Sequence, residues 1–198
     1  MRTLVVSQFV SLDGVMEDPA GNEGSGLGPW TFKFDRGDDG DKFKFDELMA
    51  SDCLLLGRKT YAGFAEAWPS RDGDFADKFN NMAKFVVSTT MDEAEWNNST
   101  LIKDDVVAKV AELKERPGGD ILVNGSITLI QTLMEHDLVD EFRLMVFPVV
   151  LGKGRRLFGE GSQTTTMQLA DSKPVGPAGV LVLTYRRAEE EGEEEAAS

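Results

Sequence analysis

Three short segments of this 198-residue chain place small and hydroxyl-bearing residues directly after a buried apolar run. The first is Leu54-Leu55-Leu56-Gly57-Arg58-Lys59-Thr60-Tyr61, where a strand-like run meets Gly57, then Arg58, then a helix start carrying Thr60. A helix start offers unpaired backbone N–H groups and the positive end of a dipole, and an arginine adds a fork that matches a phosphate. The second is Ile121-Leu122-Val123-Asn124-Gly125-Ser126-Ile127-Thr128, a strand running through a Gly-Ser turn into an amphipathic stretch. Its small residues let the backbone come close to a pyrophosphate. The third, Val86-Val87-Ser88-Thr89-Thr90, puts hydroxyls at another strand end. Singly, each also reads as an ordinary helix cap or strand-to-helix turn. Together they describe several strand ends in a parallel sheet, where ligands gather. None is a G-x-G-x-x-G fingerprint or a P-loop.

Other chemistries lack their parts. One cysteine and one histidine cannot furnish a Cys/His zinc site. His136 lies just past an amphipathic stretch, and no G-x-S-x-G elbow offers a nucleophile. Cys53 sits within the apolar run 53–56 and reads as a small core residue. The carboxylates fall mostly in loops and at the C-terminus, so no paired-carboxylate hydrolase follows from them.

The elements that must position these turns follow from hydrophobic periodicity. Strands are expected over residues 2–10, 53–56, 85–88, 121–123 and 142–151, with a closing pair over 167–170 and 180–186 separated by the turn 176–179. Helices are expected over 43–49, 60–67, 106–113 and 127–134. Residues 11–28 and 37–41, rich in Gly and Asp, read as loop and turn. Strands alternating with helices imply an α/β fold, a mostly parallel central sheet with helices on both faces and an antiparallel C-terminal edge hairpin.

Hydrophobic residues make up 41% of the chain, enough for a core without staples. The formal net charge is −14, and the body stays acidic without the six glutamates of 189–191 and 193–195. An acidic surface disfavours nucleic acid and anionic membranes as partners. No apolar run reaches membrane-spanning length and no leader pattern is seen, so a cytoplasmic location is expected. One domain over 1–187 and a disordered acidic tail over 188–198 complete the organisation.

The order of motifs resembles a known family. The opening strand with Ser11-Leu12-Asp13-Gly14, the Gly57-Arg58-Lys59-Thr60-Tyr61 turn, residues 86–90, residues 123–126, and Leu138-Val139-Asp140-Glu141 running to Phe147-Pro148-Val149-Val150-Leu151-Gly152-Lys153-Gly154 are similar to the reductase domain of bifunctional riboflavin-biosynthesis deaminase–reductases. That domain is related to dihydrofolate reductase, and the likeness covers residues 2–187. It implies a dihydrofolate-reductase-like fold, NADPH as electron donor, a small heterocyclic substrate and a homodimer. Carried over, Gly57, Arg58 and Thr60 contact the cofactor phosphates, and Ser88 and Thr89 lie by the adenosine 2′-phosphate. Gly125, Ser126, Ile127 and Thr128 hold the pyrophosphate. Phe9, Asp13, Trp30 and Phe32 line the nicotinamide and substrate pocket, with Asp13 orienting substrate. Two departures stand out. Ala62-Gly63-Phe64-Ala65-Glu66-Ala67-Trp68-Pro69 replaces a segment whose Arg holds substrate phosphate, and Asn124-Gly125-Ser126 replaces Glu-Gly-Gly. The implied activity is 5-amino-6-(5-phosphoribosylamino)uracil reductase; dihydrofolate reduction and a non-catalytic nucleotide-binding module are the alternatives. Dihydrofolate reductase carries a carboxylate on the helix before its Gly-Arg-x-Thr turn, and Asp41 falls at the similar spacing.

Overall fold

A computed structural model describes residues 1–159 and 164–188, and within these, eight strands alternate with five α-helices. β1 (Leu4–Ser11), β2 (Ser51–Gly57) and β5 (Asp120–Val123) are almost wholly buried. Burial on both faces explains why they read as continuous apolar runs rather than alternating ones. β5 lies between β1 and β2, and β6 (Glu141–Phe147) pairs the other side of β1. β3 (Ala83–Val87) and β4 (Ser99–Ile102) extend the sheet beyond β2. All of these pairs are parallel. β8 (Val180–Arg187) then joins β6 antiparallel, and β7 (Met167–Val175) forms the edge, giving the order β4-β3-β2-β5-β1-β6-β8-β7.

Alternate side chains of the central strands feed two different layers. Leu4, Val6, Leu55 and Val123 pack under α4 (Val106–Glu115) and α5 (Ile127–Glu135), with Val110, Leu113, Ile130 and Leu133 closing that layer. Val5, Leu54, Leu56 and Leu122 face α1 (Gly37–Ala50), α2 (Arg58–Ala67) and α3 (Asp74–Asn81), through Leu48, Tyr61 and Phe79. Each such buried side chain contributes about 1.5–3 kcal/mol, so the paired layers fix the sheet register.

The expected architecture is the observed one; several boundaries differ. Residues 37–41 belong to α1, whose first turn carries Asp38 and Asp39, where the helix dipole favours acid. α3 and β4 are additional elements. The strand expected over 142–151 stops at Phe147, before Pro148, which has no N–H for a ladder. β7 runs on to Val175 through an irregularity between Leu169 and Asp171. Residues 29–34 reach the core at Trp30 and form a short 3₁₀ turn, Thr31–Lys33. From residue 189 on, the expected tail lies outside the described residues.

Candidate functional site

β2 and β5 are neighbours in the sheet, so the turns that follow them meet. The Gly57 N–H donates to the Gly125 carbonyl at 2.9 Å. A Cβ on Gly57 would fall 2.3 Å from Ser126 Oγ, and one on Gly125 would fall 2.6 Å from Thr60 Oγ1. Gly125 also has φ +128°, a conformation L side chains rarely adopt. Only glycine fits either place, and the fit brings the starts of α2 and α5 side by side. Neither start has a side-chain cap at Gly57 or Ser126. First-turn N–H groups without a side-chain acceptor, next to the Thr60 and Ser126 hydroxyls, suit a diphosphate.

Beside these turns opens a cavity of about 960 Å³. That volume is at the upper end for small-molecule and cofactor sites. Of the residues singled out from the sequence, Phe9, Phe32, Asp41, Thr60, Gly125, Ser126 and Ile127 line it. Gly57 stands behind the wall and shapes it. Arg58 and Thr128 are exposed on the first turns of α2 and α5.

Five expected positions have other surroundings. Asp13 does not line the cavity. Its carboxylate accepts from Ser11 Oγ (2.6 Å), Leu151 N (3.1 Å) and Gly152 N (2.9 Å). Those bonds, the Ser11 hydroxyl first, hold its pKa down at about 2. Asp13 thus fastens the 149–152 loop to the end of β1. Trp30 is fully buried behind the wall, its Nε1 donating to the Glu17 carbonyl at 3.0 Å. It anchors the long loop, of which Met16, Glu17, Pro19, Asn22 and Glu23 reach the cavity. Ser88 is buried and its Oγ accepts from Thr90 N and Met91 N, closing its own turn, while Thr89 is exposed; neither lines the cavity. Asp41 does reach the cavity, but on the solvent side of α1, paired with Arg36 at 2.6 Å and 66% exposed.

The buried carboxylate of α1 is Glu47, which sequence spacing did not single out. Gly40, Lys44, Glu47 and Leu48 follow the i, i+4, i+7, i+8 stripe that faces the sheet. Glu47 is 4% exposed; its Oε1 accepts from Ser7 Oγ at 2.9 Å and from Lys44 Nζ. Lys44 Nζ also donates to Ser7 Oγ at 2.7 Å and sits 5.5 Å from the centre of the Phe9 ring. Asn124 Nδ2 donates to the Ser7 carbonyl at 3.3 Å. Lys44, Ser7 and Asn124 all line the cavity. Among the described residues, three buried side-chain polar atoms lack a partner, and two of them, Glu47 Oε2 and Asn124 Oδ1, belong to this cluster. The available signal was a polar pair, Lys44 and Glu47, on an otherwise inward stripe, together with Ser7 interrupting an apolar strand.

The opposite wall is aromatic. Trp68 packs on Phe75 and Phe79, with ring centres 5.3 and 4.6 Å apart, and the Arg71 guanidinium lies 4.4 Å from the Trp68 ring. The Phe75/Phe79 pair, four residues apart, is the mark of α3 that the polar surroundings Asp72, Gly73 and Asp74 obscured.

Known proteins resemble this chain over nearly its whole length. The profile of the RibD C-terminal domain matches residues 2–181. The uncharacterized protein YyaP of Bacillus subtilis (strain 168) is 30% identical over 189 residues, covering 93% of this chain and 94% of that protein. A Shewanella sp. PV-4 protein, provisionally named for riboflavin biosynthesis, has a crystal structure that superposes with a TM-score of 0.75 at 25% identity, over 94% of this chain and 99% of that one. Dihydrofolate reductase from Enterococcus faecalis, solved with NADP(H), gives a TM-score of 0.62 at 19% identity, over 94% and 97%, a likeness of fold. The fold is dihydrofolate-reductase-like, and the chain belongs to the RibD C-terminal domain family.

Proposed function

We propose that this protein is an oxidoreductase that uses NADPH to reduce a small heterocyclic substrate, most similar in kind to 5-amino-6-(5-phosphoribosylamino)uracil reductase. The observation that carries this reading is the Gly57–Gly125 contact, which sets two uncapped helix starts and the Thr60 hydroxyl at the edge of a large cavity. Family membership supports it, and so does the NADP(H) bound to a protein of the same fold. Gly57, Thr60, Gly125, Ser126 and Ile127 would hold the diphosphate, with Arg58 and Thr128 at the outer rim. Ser88 and Thr89 would lie toward the adenosine end, Thr89 being the exposed hydroxyl of the two.

A bound dihydronicotinamide would supply two electrons as hydride. The chain's own contribution is positioning and exclusion of water, the largest effects a protein adds when the cofactor carries the reactive group. Phe9 and Phe32 offer ring faces for stacking. The 12–29 loop, tied down by Trp30 and by Asp18, supplies part of the cavity wall. Asp18 is 1% exposed; burial would raise its pKa, but bonds from Ser25 Oγ and from the Glu23 and Ser25 N–H groups outweigh this and lower it. The carboxylate therefore stays charged and the loop stays fastened. We also place the protein in the cytoplasm as a homodimer; among the described residues no helix is long and apolar enough to cross a membrane.

The test is NADPH consumption, followed by absorbance, with 5-amino-6-(5-phosphoribosylamino)uracil and with dihydrofolate as acceptors. Turnover of the first supports the reading, and turnover of dihydrofolate alone transfers the protein to folate chemistry. NADPH binding without turnover of either leaves a non-catalytic nucleotide-binding module.

A further inference from the structure

The aromatic wall of the cavity keeps a space that the packing of the protein does not fill. Gly63 lies in the interior of α2 and lines the cavity. Gly57 and Gly125 are glycines because a close neighbour or a left-handed φ excludes a side chain. Gly63 has neither reason: its φ is not left-handed, and a Cβ there would meet nothing within 4 Å. Glycine inside a helix is less favourable than alanine, so what this position provides is room. Ala67, one turn on, borders the cavity as well. The rings that flank this space come from three helices. Phe64 and Trp68 belong to the end of α2, Phe75 to α3, and Phe45 reaches across from α1, its ring centre 6.5 Å from that of Phe75. Phe45 is 37% exposed, a ring that the fold itself leaves partly uncovered. Of the charged groups nearby, Lys42 and Asp46 are paired with each other. Arg71 is exposed, its guanidinium over the Trp68 ring at 4.4 Å and without a carboxylate partner among the described residues.

We propose that the space over Gly63 binds a flat aromatic group carried by the substrate, so that the substrate class is a small heterocycle bearing an aryl substituent in place of a sugar phosphate. The inference deepens the reductase reading and rests on it for what the cavity is for; the chemistry of the aromatic wall does not depend on that reading. Aromatic rings attract one another edge-to-face or offset, and the rings of Phe45, Phe64 and Trp68 offer both faces and edges. Taking about 100 Å² of ring surface out of water against them raises affinity on the order of 50-fold. A ribosyl group would instead bring hydroxyls against rings that cannot replace their hydrogen bonds to water. Arg71 does not reverse the choice. An ion pair at an exposed arginine adds no more than about fivefold, so an acidic group on the ligand is tolerated there without being what selects it. Residues 62–69, where the chain departs from the segment whose Arg holds a substrate phosphate, thus supply room and ring surface instead of a buried anion site.

The experiment measures binding of three plain probes, 2-naphthol, 2-naphthoate and ribose 5-phosphate, to protein saturated with NADP⁺, by ligand-observed NMR. Wild type is expected to bind both naphthyl probes at least tenfold more tightly than ribose 5-phosphate. G63L, whose side chain enters the open space, should weaken both naphthyl probes at least tenfold. F45A, which removes a partly exposed ring and so spares the core, should weaken them about threefold or more. R71M should weaken naphthoate by no more than about fivefold and leave naphthol unchanged. NADPH affinity, followed by fluorescence, should stay within about threefold in every variant, which verifies folding; if G63L does not fold, F45A and the order of the probes on wild type carry the decision. Failure of naphthol to bind, ribose 5-phosphate binding as tightly as naphthoate, or naphthol binding that neither G63L nor F45A weakens overturns the proposal. If NADPH itself does not bind wild type, it is the reductase reading that fails, and the same probes on unloaded protein still decide what the aromatic wall accepts.

Discussion

Two lysines, Lys84 buried and Lys44 half-buried, lie on the same face of the sheet, and their surroundings are opposite. Lys84, on β3, is fully buried and its ammonium donates to three backbone carbonyls, those of Asn80, Met82 and Asn97, over the Trp96 ring at 4.2 Å. Every donor has an acceptor, no carboxylate is involved, and the result ties the end of α3 to the strand beyond it. Lys44, on α1, has a carboxylate and a hydroxyl for partners, and its neighbourhood leaves two acceptors unmatched. Completed hydrogen bonding marks a site built for stability. Leftover polar atoms at a cavity wall mark one built for something that arrives later.

The contrast breaks most readily at Lys84. K84M takes the ammonium from three backbone carbonyls, of which that of Asn80 keeps a bond from Asn97 Nδ2, and should cost about 1–3 kcal/mol, read as a fall in the urea midpoint. Burial pushes the Lys84 pKa down to about 8 from an ordinary 10.5. Between those values the unfolded chain binds more protons than the folded one, so stability rises with pH in that window. The advantage of wild type over K84M should therefore widen between pH 8 and pH 10; a constant or shrinking gap would contradict the lowering of the Lys84 pKa by burial.

Asp13 is next in size. As a fastener of the 149–152 loop it should cost about 1–2 kcal/mol on replacement by alanine, yet leave NADPH affinity within twofold. Its folded pKa lies near 2, below the unfolded 3.8, so this contribution is present above pH 4 and lost as pH falls through 2. A large loss of cofactor or substrate binding in D13A, with stability unchanged, would return Asp13 to the site.

K44M/E47L sharpens the comparison from the other side. Replacing a buried ion pair with apolar groups is often neutral or stabilising, so thermal stability should change by no more than about 1 kcal/mol, less than in K84M. D41N is the smallest change. Asp41 is exposed and its pairing with Arg36 is a surface one, so stability should move by less than about 0.5 kcal/mol.

Sequence carries the strand-end turns well because their cause is local. Gly57 and Gly125 follow apolar runs that can only be buried strands; the neighbours that make glycine obligatory stand in the opposite turn, Ser126 for Gly57 and Thr60 for Gly125, and only the fold brings them together. Asp41 and Glu47 part company for the converse reason. Spacing from Gly57 selects Asp41, but which side of a helix faces the sheet is decided by packing, and Leu48 turns Glu47 inward. Asp13 and Ser88 sit at strand-end turns in sequence, and only the fold reveals that their side chains close loops. α3 is hidden because its polar residues outnumber Phe75, Ala76 and Phe79, which gain their role from Trp68 across the gap. β4 is only four residues long and has the sheet as its whole support.

The most direct test of the central claim is a fluorescence titration of wild type and G57A with NADPH and NADH. The account predicts saturable binding to wild type, tighter for NADPH, and an affinity reduced by about 100-fold or more in G57A, whose Cβ would strike Ser126 and part the two helix starts. Absence of binding to wild type, or binding that G57A leaves unchanged, would mean that the meeting of Gly57 and Gly125 shapes the fold alone.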